Sequence, residues 1–149
     1  MHQKEVLGLS EARAAVEAAL AEAGKEPHRP MVIAVVDDRG DLICFARMDG
    51  ALPMFTQMAI NKAYTAARMQ RDTDSFGDWL QEKGRDLAIW TDSKLTPVSG
   101  GLPIIKPGKG YLPIGTKQSK LLGGIGASGR SGKEDKAIAL TGLKAIKLT

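Results

Sequence analysis

Residues 31–48 read Met31-Val32-Ile33-Ala34-Val35-Val36-Asp37-Asp38-Arg39-Gly40-Asp41-Leu42-Ile43-Cys44-Phe45-Ala46-Arg47-Met48. The first seven are rich in β-branched side chains and continuously apolar, the pattern of a strand covered on both faces. Asp37 to Asp41 form a turn, and Leu42 to Met48 supply the returning strand of an antiparallel hairpin. Asp49-Gly50-Ala51 closes the hairpin, and Pro53 suits the first turn of a helix.

A strand buried on both faces needs layers on both sides, and the flanking sequence supplies helices. Upstream, Ser10 to Gly24 places Ala12, Val16, Ala19, Leu20 and Ala23 on one helical face, with Ser10 as expected N-cap and Gly24 as expected left-handed C-cap. Pro27 and Pro30 stop that helix from continuing. Downstream, Met54 to Met69 is a second helix on which Phe55, Met58, Ala59, Lys62, Ala63, Ala66 and Ala67 share a broad face, with Lys62 and Thr65 near its polar margin. Ser75 to Lys83, capped by Thr73 or Asp74 and ended by Gly84, is a third. Leu95 to Ser119 is irregular, with short strands expected around Leu102–Ile105 and Lys120–Ala127. A last helix begins near Ser131, where Ser131-Gly132-Lys133-Glu134 fits a capping box, with Ala137, Ile138, Thr141, Ala145 and Leu148 expected inward. The order helix, hairpin, two helices, strands, helix defines an α+β fold with an antiparallel sheet, expected as one domain over residues 1–149.

Composition narrows the function. Cys44 is the only cysteine, so no intrachain disulfide forms, and His2 and His28 alone cannot build a structural zinc site. The net charge of +4 gathers in the C-terminal half, yet no run of five basic residues occurs and aromatics hardly interleave with the lysines. That pattern suits a solvated basic surface or attraction of a small organic anion, and not nucleic-acid recognition. No apolar stretch approaches membrane-span length, and the N-terminus lacks a signal-peptide core, so a cytoplasmic protein with no membrane partner is expected.

Three groups of residues invite chemistry. Gly123-Gly124-Ile125-Gly126-Ala127-Ser128-Gly129 leads into the last helix, but the spacing to Gly132-Lys133 fails as a phosphate loop because Glu134 stands where Ser or Thr belongs. The amides there could hold a carboxylate at a helix N-terminus, or the glycines could serve close sheet–helix packing. Arg47, Asp49, Lys62 and Thr65 could converge on an acidic ligand, or Asp49 could pair with Arg47 or Lys62 to fix the hairpin-to-helix corner. Cys44 reads as a buried thiol before a nucleophile, and His28 as an exposed loop residue before an iron ligand. Trp90 and Tyr111 could wall a pocket for a flat ligand or anchor the loops beside them.

Several blocks in order, Pro30 to Ile43, Arg47-Met48-Asp49-Gly50-Ala51, Lys62-Ala63-Tyr64-Thr65-Ala66-Ala67, Gly100-Gly101-Leu102-Pro103-Ile104, Gly124 to Gly129, and Glu134-Asp135 with Ala137, resemble the GlcG/HbpS family, which includes the C-terminal domain of PduO-type proteins. The resemblance implies a profilin-like α/β/α arrangement, a central antiparallel sheet with helices on both faces, and assembly into homo-oligomers. It also implies haem as a candidate cofactor, although none is required. The chain departs from the haem-binding pattern in having no histidine in its first helix, and its segment from Ile105 to Lys120 is longer than usual, placing Lys106, Lys109, Tyr111 and Lys117 near a remodelled pocket. Two functions are therefore expected in competition. One is binding of haem or another planar acidic ligand, a small anionic organic molecule, by Arg47, Thr65, Gly101, Pro103, Tyr111, Gly126, Ser128 and Gly129. The other is a cofactor-independent lyase or isomerase acting on a small carboxylated metabolite, with Asp49, Lys62 and Glu134 as the candidate catalytic residues.

Overall fold

The computed structural model describes residues 1–106 and 120–148. The elements run α1 (Leu9–Ala23), β1 (Val32–Asp37), β2 (Leu42–Arg47), α2 (Pro53–Met69), α3 (Thr73–Lys83), a 3-10 turn (Leu87–Trp90), β3 (Gly101–Lys106), β4 (Lys120–Ser128) and α4 (Gly132–Lys144). The strands form one sheet in the order β2-β1-β4-β3, every pair antiparallel. The expected α+β architecture with helices on both faces is the one observed.

The alternation along β1 divides the core. Ile33 and Val35 join Ala12, Ala15, Val16, Ala19, Ile125, Ile138 and Ala139 beneath α1 and α4, while Val32, Ala34 and Val36 meet Ala59, Ala63 and Ala67 of α2. All six residues from Met31 to Val36 have no exposed surface, as a strand sandwiched between two layers requires.

Local chemistry moved several boundaries. Gly8, not Ser10, caps α1, because the Glu11 carboxylate accepts from the Gly8 amide at 3.0 Å. Gly24 is right-handed at φ −66°, so α1 ends without a left-handed glycine; Gly84 does supply one after α3, at φ 59°. Asp72 occupies the N-cap position of α3, which takes in Thr73 and Asp74. The buried face of α4 is Asp135, Ile138, Ala139 and Gly142, and Ala137 is exposed. Gly142 sets that rotation, since a Cβ there would stand 2.7 Å from the Ala15 carbonyl and 2.6 Å from Ile125 Cδ1. The helices cross at backbone contact, which only a residue without a side chain permits.

Candidate functional site

On the α2 side of the sheet, the register lays out three rows. Arg47, Val32 and Ser128 lie abreast; Phe45, Ala34, Gly126 and Gly101 form the next row; Leu42, Val36, Gly124 and Pro103 the third. Helix α2 packs across β4, β1 and β3 and leaves edge strand β2 outside its footprint. The two halves of this face therefore differ in kind.

Under α2 the face is solid. A Cβ at Gly126 would collide with the Ala59 carbonyl and stand 2.6 Å from the Ala63 nitrogen; one at Gly124 would collide with the Ala63 carbonyl. Gly101 is equally close to the Lys62 carbonyl, and its amide donates to Thr73 Oγ1 at 3.0 Å. Thr65 is fully buried, where its hydroxyl accepts from the Thr96 amide at 2.9 Å and fixes the stretch leading to β3. Of the two readings of the glycine-rich segment, close packing is what these glycines carry.

Lys62 is the main departure from the sequence reading. It is 1% exposed instead of lying at a polar margin, and its ammonium donates to the Ala127 carbonyl and to Asp135 Oδ2, each at 3.0 Å. Asp135, 3% exposed, also accepts from the Arg130 amide at 2.8 Å through Oδ1. The anion expected at the N-terminal end of α4 is thus one of the chain's own carboxylates, and its counter-ion comes from α2. Burial pulls the Lys62 ammonium below its ordinary range and pushes the Asp135 carboxyl above its own, with the mutual ion pair opposing both shifts. The pair neither reaches solvent nor meets Asp49, and Asp49 and Arg47 are both exposed. The Asp49–Lys62 and Arg47–Asp49 corner pairings do not form.

Glu134 serves the loop before β1. Arg29 grips it in a fork, Nη2 to Oε1 at 2.9 Å and Nη1 to Oε2 at 2.7 Å, and the Ser131 hydroxyl donates to Oε1 at 2.9 Å. The expected cap is half realised: the Glu134 amide donates to Ser131 Oγ at 3.2 Å, while the carboxylate turns to the hydroxyl and to Arg29. The Arg29 hydrogen bond, then that of Ser131, holds the Glu134 carboxyl down at about 2. A carboxylate so stabilised is a poor proton acceptor at neutral pH. Its linkage has a definite sign. Because the folded value lies below the ordinary 4.5, the stabilisation is present above pH 4.5 and is lost as pH falls towards 2. Chemical denaturation of wild type and Glu134→Gln at a series of pH values should therefore show a stability difference that is largest above pH 4.5 and closes towards pH 2. A difference that stays constant over that range would show the ion pair to be thermodynamically silent.

Arg130, with a side chain only 4% exposed, sews β4 to the end of α1 by donating to the carbonyls of Ala23, Glu26 and Arg29 at 2.8–3.1 Å. Gly129, at φ 144°, lies where a Cβ would stand 2.7 Å from the Pro30 carbonyl. Ser128 is buried in the row with Val32 and Arg47. Trp90 anchors its 3-10 turn by packing edge-on to Phe76, ring centres 5.5 Å apart. Tyr111, Lys109 and Lys117 lie outside the described residues.

Beyond the footprint of α2 the face is open. Leu42, Phe45 and Arg47 of β2 point to the α2 side but are exposed, at 50% and 36% for the two apolar residues. Ala51, Phe55 and Ile60 pack partly against the core beside them, and Leu52 is 56% exposed at the start of α2. An apolar shelf with one guanidinium at its end can receive a flat molecule bearing a carboxylate. Sequence reasoning singled out Arg47 and missed Phe45 and Leu42; their placement opposite Ala34 and Val36, on a strand that continues past the helix, was the signal that could have found them.

An α+β sheet sandwiched by helices, with an exposed apolar edge strand, is the frame that carries these residues. The chain belongs to the HbpS-like family, described as haem-degrading protein HbpS-like, whose model matches residues 7–144. It is 34% identical over 109 residues to the protein GlcG of Escherichia coli K12, covering 73% of this chain and 79% of GlcG. It is 30% identical over 138 residues to the corrinoid adenosyltransferase PduO of Salmonella typhimurium, covering 91% of this chain but 36% of PduO. Among solved structures, a double mutant of HbpS from Streptomyces reticuli superposes with a TM-score of 0.78 at 27% identity, covering 99% of this chain and 91% of that one. A PduOC–haem complex does so with the same score and identity, covering 97% and 98%.

Among the described residues no helix is long and apolar enough to cross a membrane, and no group of three or more His, Cys, Asp or Glu side chains is arranged to hold a metal ion.

Proposed function

We propose that this chain binds haem or another planar acidic ligand on the shelf beside α2, with Phe45 and Leu42 against the ring system and Arg47 holding a carboxylate. The observation that carries the reading is the exposed apolar face of β2 ending in Arg47, in a family whose solved members include a haem complex. The residues fit the macrocycle better than its iron. Cys44 packs with the core on the opposite side of the sheet, His28 sits in the exposed loop between α1 and β1, and His2 lies in the exposed N-terminal segment. The shelf therefore supplies plane and charge, and no role for the metal follows from it. A second copy of the chain laid over the same face would cover the other side of the ligand, which accords with assembly into homo-oligomers.

A haem titration followed at the Soret band tests the reading, run beside metal-free protoporphyrin IX. A saturable shift is expected for both porphyrins, weakened about tenfold or more in Arg47→Glu, where a charge-assisted hydrogen bond of roughly 1.5–3 kcal/mol is lost, and weakened also in Phe45→Glu, where a charge replaces the apolar contact with the ring. Both positions are exposed, so neither variant threatens the fold. Absence of saturation, or an affinity unchanged from wild type in both variants, would sink the shelf. Loss of haem but not protoporphyrin binding in His28→Ala would move the site to the α1–β1 loop. Light scattering on the same samples should give a mass of at least two chains; a monomer with and without porphyrin would remove the covering copy.

The lyase or isomerase alternative finds no comparable support. Lys62 and Glu134 are committed to ion pairs, and Asp49 stands exposed without a partner residue of the candidate set beside it.

A further inference from the structure

If β2 ran as a regular strand, Phe45 would share its face with Ile43 and Asp41, and Leu42 would point to the other side. The observed pairing is different. Cys44 stands opposite Val35 and Leu42 opposite Val36, so β2 carries one extra residue, Ile43, between those pairs, and the register shifts there. Ile43 and Cys44, neighbours in sequence, both pack against the core on the α1 side, which two consecutive residues of a regular strand do not do. The extra residue makes a β-bulge, a device that re-aims side chains, and here it turns Leu42 to the α2 side.

The bulge fixes what stands at the far end of the open face. Arg47, Phe45 and Leu42 lie opposite Val32, Ala34 and Val36, three successive rows of β1. The outer rows are four residues of β1 apart, about 13 Å along the strand. Past Leu42 the apolar face stops, because the Asp37 amide donates to the Asp41 carbonyl at 2.9 Å and closes the hairpin turn. At the near end, among the described residues, Arg47 pairs with no carboxylate. The face is thus a strip with a free cation at one end and a leucine, 50% exposed, at the other. We infer that Leu42, placed by the bulge, is the residue through which the shelf selects its ligand by length. A planar carboxylate with a macrocyclic or many-ring body covers all three rows from Arg47 to Leu42; a carboxylate on one or two rings covers Arg47 and Phe45 alone. This inference rests on the reading of the shelf as the ligand site.

Two neighbouring alanine variants test it, because the bulge gives them opposite effects. Leu42→Ala should weaken protoporphyrin IX about fivefold, the loss of part of a leucine's apolar contact, and should leave the melting temperature close to that of wild type. Ile43→Ala should leave protoporphyrin affinity unchanged and lower the melting temperature, since Ile43 belongs to the core side. Binding of 2-naphthoate, followed by its own fluorescence, should be weaker than that of protoporphyrin and unchanged in Leu42→Ala. Affinity lost in Ile43→Ala and kept in Leu42→Ala would show a regular β2 in solution and overturn the inference. So would a Leu42→Ala loss of equal size for naphthoate and protoporphyrin. Protoporphyrin binding weakened in Arg47→Glu and Phe45→Glu but untouched in Leu42→Ala would overturn selection by length and leave the shelf standing. Absence of saturation with wild type would overturn both.

Discussion

Lys62→Met should destabilise the fold by about 3–5 kcal/mol, the range for leaving one member of a buried ion pair unpaired. The substitution preserves length and apolar volume, so little of that cost comes from packing. What remains is the Asp135 carboxylate, 3% exposed, held by the Arg130 amide but without its cation. Its pH dependence separates a charge effect from a packing effect. Burial already pushes the Asp135 carboxyl above its ordinary value of 3.8, and removing Lys62 removes the attraction that opposes this. With the folded value raised, the native state holds more protons than the unfolded chain above pH 3.8, so the stability of the variant falls as pH rises through that range. The deficit against wild type should be smallest near pH 3.8 and grow towards neutrality. Asp135→Asn should show the mirror image, because Lys62 is lowered from 10.5 by burial: its deficit should shrink as pH rises towards 10.5. Equilibrium urea denaturation of the two single variants and of the double variant closes the cycle. The double variant should be more stable than the sum of the single losses allows. A Lys62→Met loss below about 1 kcal/mol, or one that does not vary with pH, would mean that the pair is solvated in solution.

The same residue shows what could and could not be read beforehand. The hairpin was legible because β1 is apolar from Val32 to Val36 and because Gly40 and the aspartates around it mark the turn; the side chain of Asp37 accepts from the amides of Arg39 and Asp41 there. The alanine face of α2 was legible from spacing. Lys62 was misplaced because helical periodicity ranks a charge by its own polarity, whereas its burial depends on Asp135, 73 residues away. A signal existed on each side: Lys62 falls beside Ala59 and Ala66 on the helical wheel, and Asp135 starts an i, i+3, i+4, i+7 series with Ile138, Ala139 and Gly142. Two opposite charges, each lodged in an otherwise apolar arc, point to each other. The proposed shelf was half legible for a different reason. Arg47 announces itself by charge, but whether Phe45 and Leu42 are core or surface depends on how far α2 reaches across the sheet, which no local pattern encodes.

That reach is set by the glycines of β4, and Gly126→Ala should cost about 3 kcal/mol or more, at the upper end of what overpacking costs. The added methyl would meet the Ala59 carbonyl and lie 2.6 Å from the Ala63 nitrogen, both parts of the α2 backbone. Backbone in a helix cannot rotate away as a side chain can, so α2 must lift from the sheet as a unit. Lifting it draws Lys62 from the Ala127 carbonyl and Asp135, so the packing loss and the ion-pair loss should be coupled. Ala59→Gly should give no rescue, because the obstacle is a carbonyl and not a methyl group. Gly84→Ala is the contrast: a methyl added there would meet nothing within 4 Å, and φ is 59°, so its cost is conformational alone, about 1–2 kcal/mol. Thermal melts of the three variants distinguish the cases. A Gly126→Ala melt close to that of Gly84→Ala, or restored by Ala59→Gly, would show that α2 does not rest on the β4 backbone. The expected ranking makes the glycine-rich segment the seat on which α2 is fixed, since the α2 backbone approaches Gly124 and Gly126 too closely for any side chain.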